Sequence, residues 1–135
     1  MLKKILPVFL LFSVVFSCKK ETPFPNNGIY RGVFNEIRSS GDTVASGVVY
    51  LALFEESSGF NLVGDSLTSA PASHSGSYLI GSGNNIRFTN SNTILPIHDA
   101  DHYLDTTYAY VFDEEIFKFW LVDDTTTYYY DLIRD

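Results

Sequence analysis

The chain has 135 residues, 45% of them hydrophobic and 16% aromatic, a composition too apolar for global disorder and a length that suits one packed core. Nine Lys+Arg against sixteen Asp+Glu give a formal charge of -7, which excludes the basic footprint of a nucleic-acid binder because an acidic surface repels phosphates. A single cysteine excludes an intrachain disulfide, so folding rests on packing alone.

At the start, Lys3 and Lys4 precede an apolar run from Ile5 to Phe16, then the small residue Ser17 and the sole cysteine, Cys18. A basic opening, a short apolar stretch and a small residue before a break describe an export signal. The run holds roughly a dozen apolar residues where ~20 are needed to cross a bilayer, and Pro7 interrupts it, so a permanent spanning helix is disfavoured. Val15, Ser17 and Cys18 stand at the aliphatic, small and cysteine places of a lipobox, and in this the chain resembles bacterial lipoproteins. Phe16 is bulkier than that class usually carries at the second place, and the competing reading is an ordinary cleaved signal. The resemblance implies removal of residues 1–17, a diacylglyceryl group on the Cys18 sulfur and acylation of the new amine. Buried acyl chains at about 0.8 kcal/mol per methylene would then tie the protein to a membrane. Losing Lys3 and Lys4 takes the formal charge from -7 to -9. Lys19 follows the cysteine where some bacteria place an aspartate that retains lipoproteins at the inner membrane, so the resemblance implies the outer membrane, with its periplasmic and external faces both open. Lys19 and Lys20 would lie beside lipid headgroups.

Residues 18–27 are read as the lipidated cysteine and a flexible tether, because two prolines and a polar pair precede Gly28. The folded domain is expected over 28–135. Short alternating segments between Gly, Ser, Asn and Asp, with no sustained 3.6-residue period, point to an all-β domain. The expected strands are Ile29 to Ile37, Val44 to Phe54 and a third near Phe60 to Gly64. Ser66 to Ser75, polar and proline-bearing, reads as a loop. Tyr78 to Ile80 and Ile86 to Phe88 flank a Gly-Ser-Gly-Asn hairpin signal.

Tyr108 to Phe112, Ile116 to Val122 and Tyr128 to Ile133 form the best-defined pattern, joined by acidic turns. Two-residue loops at Glu114-Glu115 and Asp124-Thr125 set Lys118 opposite Asp131, Trp120 opposite Tyr129, Phe119 opposite Tyr130 and Phe117 opposite Leu132. Phe112 then falls beside Phe117 and Tyr110 beside Phe119. The inner face is Tyr108, Tyr110, Phe112, Phe117, Phe119, Leu121, Tyr128, Tyr130 and Leu132. Val111, Ile116, Trp120, Tyr129 and Ile133 face outward. That outer set is either covered or scattered surface, or else a docking patch centred on Trp120 and Tyr129.

Gly28-Ile29-Tyr30 opens the first strand and Arg134 ends the last. This is similar to the lipocalin arrangement of a G-x-W motif under an arginine from the final strand, with Tyr30 in place of the tryptophan. The resemblance implies an antiparallel up-and-down β-barrel of about eight strands, whose interior is packed solid or holds one small ligand. It would set Arg134 over Tyr30 in a cation-π contact, the alternative being an ion pair with Glu115. The competing fold is a two-sheet β-sandwich. Ligand-lining candidates in a barrel are Tyr30, Phe34, Tyr108, Tyr110, Phe119, Tyr128 and Tyr130.

His98 and His102 lie four apart behind Pro96 and would share a face on a helical turn or an extended chain, which makes them weak metal candidates; His74 could join them only through folding. The segment fails the calcium-loop template at Tyr103 and Leu104. No nucleophile elbow, Walker loop or H-E-x-x-H is present, and the adjacent acids all fall in expected turns. The expectation is therefore a non-enzymatic, lipid-anchored envelope protein without a cofactor, binding a small apolar ligand or an envelope partner. The alternatives are an interaction lipoprotein with a solid core and an outer aromatic patch, and a metal-dependent enzyme using His98 and His102. The size of the lumen separates the first two.

Overall fold

A computed structural model describes residues 24–64, 71–95 and 99–135; the leader, Cys18, most of the tether, residues 65–70, Pro96 and His98 lie outside the described residues. The alternating segments form eight strands: β1 Gly28–Arg38, β2 Thr43–Phe54, β3 Gly59–Gly64, β4 His74–Ile80, β5 Asn85–Asn90, β6 Thr107–Asp113, β7 Ile116–Asp123 and β8 Thr126–Arg134. They pair antiparallel in sequence order and β1 closes on β8, giving an up-and-down barrel. Continuous pairing around the ring excludes the two-sheet sandwich, because a sandwich needs two separate sheets. A 3-10 turn, Ala100–His102, interrupts the β5–β6 connection.

Period-2 alternation puts one residue of each pair inside. In β2, Ala45, Val49, Leu51 and Leu53 are buried while Val44, Val48 and Tyr50 face out. Closure brings the β1 and β8 backbones so near that a Cβ on Gly32 would run into the carbonyl oxygen of Asp131, so glycine is required there. The C-terminal meander has the expected register: Lys118 pairs Asp131, Trp120 pairs Tyr129, Phe119 pairs Tyr130 and Phe112 pairs Phe117. Its two-residue turns place Glu114 and Asp124 at φ 45° and 47°, which lets the hairpins reverse without splaying the strands.

The structure departs from the sequence reading in the middle of the chain. The expected loop ends two residues early, because His74 and Ser75 belong to β4. His74 is 3% exposed and sits within the core, where its polar ring found partners that composition does not reveal. Leu121 is only partly buried at the edge of the core. Tyr103 and Leu104, unassigned from sequence, are buried in the β5–β6 connection and plug the barrel end remote from Gly28.

Candidate functional site

The seven ring residues expected to line a lumen are all buried and inward-facing. They pack on one another and on neighbouring rings. Phe119 stacks on Tyr130 with centroids 4.4 Å apart and planes 11° apart, and it meets Phe88 and Tyr108 at 5.4 Å and Phe117 at 5.0 Å. Phe34 reaches Tyr130 at 5.0 Å and Tyr30 reaches Phe117 at 5.4 Å. The Tyr130 hydroxyl is buried without a hydrogen-bond partner among the described residues. Burial pushes its pKa well above the usual phenol value, with Tyr108 adding to the effect, so it stays neutral.

The barrel end near Gly28 is closed by Tyr30 and Arg134. The guanidinium lies 5.4 Å from the ring centroid and Nη2 donates to the Tyr30 hydroxyl at 2.9 Å, to the Asn27 carbonyl at 3.2 Å and to Asn26 Oδ1. The Tyr30 hydroxyl donates to the Asn26 carbonyl at 2.9 Å. Glu115 takes a hydrogen bond from the Arg134 backbone amide at 2.7 Å, while the side chain goes to Tyr30.

At the other end the plug carries the titratable groups. His74 Nδ1 donates to the Ala72 carbonyl at 2.7 Å, which leaves Nε2 to accept the Leu104 amide at 2.8 Å. Desolvation lowers the His74 pKa, partly opposed by the Ala72 carbonyl and by Asp105, and the neutral ring uses both nitrogens. It is therefore not placed to ligate a metal with His102. His102 Nε2 donates to Glu36 Oε2 at 2.7 Å, and Asp99 Oδ2 stands 3.9 Å away. Tyr128 donates to Asp101 Oδ2 at 3.2 Å. Burial first, then the Asp101 charge, raises the Tyr128 pKa. Of the two histidines singled out from sequence, His98 lies outside the described residues and His102 has an acidic partner from β1 instead. Glu36 was missed, though the parity of β1 carried a signal: it shares the inward phase of Tyr30 and Phe34, where a carboxylate requires a partner.

Trp120 and Tyr129 are half-buried neighbours on the outer face, with centroids 6.3 Å apart. With Val111, Asp113, Ile116, Lys118 and Thr127 they line an open groove of about 600 Å³. Lys118 Nζ lies 3.7 Å from Asp131 beside them. Exposed acids end the groove on both sides, Asp113, Glu114 and Glu115 at one turn and Asp123 and Asp124 at the other. Further outward Val, Leu and Ile side chains lie elsewhere on the barrel. A barrel that spans a bilayer pairs an apolar outside with a polar lumen, whereas here the lumen is the apolar core and Arg31 and Arg87 are exposed outside.

Compared with family models, curated proteins and solved structures, the chain matches none.

Proposed function

We propose that this protein is a non-catalytic, lipid-anchored cell-envelope protein that works through the outer face of β6–β8. The single observation that carries this reading is the Trp120–Tyr129 pair on the floor of an open groove of about 600 Å³ on that face. Inward rings that pack on one another favour interaction over small-ligand binding, and the aromatic floor of the groove supplies the contact. The anchor rests on Val15, Ser17 and Cys18, as read from sequence.

The occupant is a protein surface with an apolar centre and a basic rim. Trp and Tyr in a central apolar groove are the residues that anchor protein interfaces. The acidic turns at both ends of the groove favour Lys and Arg on the partner. A second copy of this chain and an anionic membrane surface are disfavoured by the same charge, since the chain is formally -7.

Photo-crosslinking from Thr127, in the groove wall, identifies the partner in intact cells, and calorimetry with the purified partner measures the contact. Trp120→Ala and Tyr129→Ala are expected to weaken binding at least ~10-fold, and raised salt to weaken it further. Unchanged affinity in both variants overturns the reading. So does a stoichiometric apolar ligand in native mass spectrometry, which would return function to the barrel interior. Loss of dimerisation in Trp120→Ala would make the occupant a second copy and overturn the partner assignment. Detergent-phase partitioning that persists in Cys18→Ser overturns the anchor.

A further inference from the structure

Glu36 on β1 and Asp99 and His102 on the β5–β6 connection bring one ligand atom each to within 4.8 Å of one another. We propose that these three residues form a binding site for a divalent transition metal of the Zn²⁺ class, which clasps the plug of the barrel onto its wall.

The donor set is one imidazole nitrogen and two carboxylate oxygens. A mixed nitrogen and oxygen set suits Zn²⁺, Co²⁺ or Ni²⁺, whereas Ca²⁺ and Mg²⁺ prefer oxygen alone. The spacing is close to what an ion needs. Ligand atoms on a tetrahedral ion with ~2.0–2.1 Å bonds stand ~3.3 Å apart. His102 Nε2 is 2.7 Å from Glu36 Oε2 and 3.9 Å from Asp99 Oδ2, one pair shorter and one longer than that value. An ion that enters takes the place of the Nε2 proton, which leaves to solvent while the ring keeps its other proton on Nδ1; it opens the first pair slightly and draws Asp99 in. Asp99, whose side chain is 51% exposed, is the ligand able to move.

Two ligands are already oriented by groups behind them. The His102 ring packs edge-on to Phe34 at 5.0 Å, which aims Nε2 at Glu36. Asp99 Oδ1 is held by the Asp101 amide at 3.0 Å, leaving Oδ2 toward His102. A ligand set by a backbone hydrogen bond is the arrangement metal sites use to fix geometry. Glu36 and His102 side chains are 17% and 13% exposed, so an ion there sheds most of its water on the barrel side and keeps a position open toward Asp99. The local charge also asks for a cation: Glu36 and Asp99 converge on one histidine, and among the described residues neither has a Lys or Arg partner.

A plain His–Glu ion pair is the competing account. It requires neither Asp99 nor a metal, and so the two differ in what is measured. The test is calorimetry and thermal unfolding of the purified, tag-free, chelator-treated protein with Zn²⁺, and separately with Co²⁺ and Ca²⁺. The expected result is one equivalent of Zn²⁺ per chain, a raised Tm, and a visible Co²⁺ band of a low-coordinate nitrogen and oxygen site. Glu36→Gln and His102→Gln each remove binding by more than the ~10–100-fold that loss of an outer-shell partner costs, and Asp99→Asn weakens it by less. Circular dichroism on the metal-free variants confirms that the barrel is intact. Absence of saturable Zn²⁺ binding overturns the site, as does Zn²⁺ binding that survives Glu36→Gln and His102→Gln. An equal response to Ca²⁺ overturns the metal class.

Discussion

The meander β6–β8 and the run β3–β5 belong to one barrel but are held in different ways. β7 and β8 pair without interruption from Ile116↔Ile133 to Asp123↔Thr126, and the hairpins turn in two residues. β3 and β4 share only the register from Gly59↔Ser77 to Leu62↔His74, and β5 and β6 only Asn85↔Ala109 to Arg87↔Thr107. Hydrogen bonds between side chains and backbone that tie the strands to the connections make up the difference. Asn92 Oδ1 accepts the Ser75 amide at 2.6 Å, Asp105 Oδ1 accepts the Asn90 amide at 2.9 Å, and His74 accepts the Leu104 amide. Long ladders with tight turns need little beyond their own pattern. Short ladders borrow their hydrogen bonds from residues far along the chain.

The largest expected effect lies in the meander. Phe119→Ala removes the ring that Phe88, Tyr108, Phe117 and Tyr130 all touch, and it should cost about 3–5 kcal/mol in denaturant unfolding, with the whole barrel melting as one unit. A cost below about 1 kcal/mol would mean that the interior is not packed solid, which would also weaken the functional reading. His74→Phe comes next. The new ring keeps apolar bulk but orphans the Leu104 amide, for about 1–3 kcal/mol. The loss should be local. Hydrogen exchange at Leu104 accelerates while β7 and β8 amides keep their protection; equal acceleration in both would erase the contrast between the two regions.

His74 also gives the plugged region a pH dependence of its own. Its folded pKa lies below the ordinary histidine value of 6.5, so the unfolded chain binds the proton more readily. The stability it contributes is fully present above pH 6.5 and declines as the pH falls from there toward the folded pKa, where the loss levels off. Wild type should therefore lose stability on acidification through this window by more than His74→Phe does. Parallel pH profiles for the two proteins would remove His74 as the cause.

These differences explain how far the chain could be read from its sequence. The meander was legible because alternation, turn length and the Lys118–Asp131 match all choose one register, and a one-residue slip would turn Phe117 and Phe119 outward. The Tyr30–Arg134 contact was legible through a resemblance at the two ends of the domain. The start of β4 was hidden because His74 reads as polar, and only a carbonyl two residues away and an amide 30 residues away make it a core residue. Glu36 was hidden in the same way, its partner lying 66 residues on.

Arg134→Gln tests the other closed end. It removes the cation-π contact and the bond to the Tyr30 hydroxyl, but the Tyr30 hydroxyl keeps Asn26, so a cost of about 1–2 kcal/mol is expected. A loss as large as that of Phe119→Ala would show that barrel closure depends on this end more than on the aromatic core.

The smallest effect expected is that of the Lys118–Asp131 pair. It spans 3.7 Å between side chains 38% and 45% exposed, a setting in which water and salt screen most of the attraction. A double-mutant cycle with Lys118→Ala and Asp131→Ala should give a coupling of about 0.2–1 kcal/mol that shrinks at high salt. The charge-swapped double variant Lys118→Asp with Asp131→Lys should keep the same cross-strand contacts by NMR, because burial of Phe117, Phe119, Tyr130 and Leu132 already fixes the pairing. A slipped register in that variant would mean that surface charge specifies the meander. The region would then depend on borrowed side-chain contacts as much as β3–β5 does.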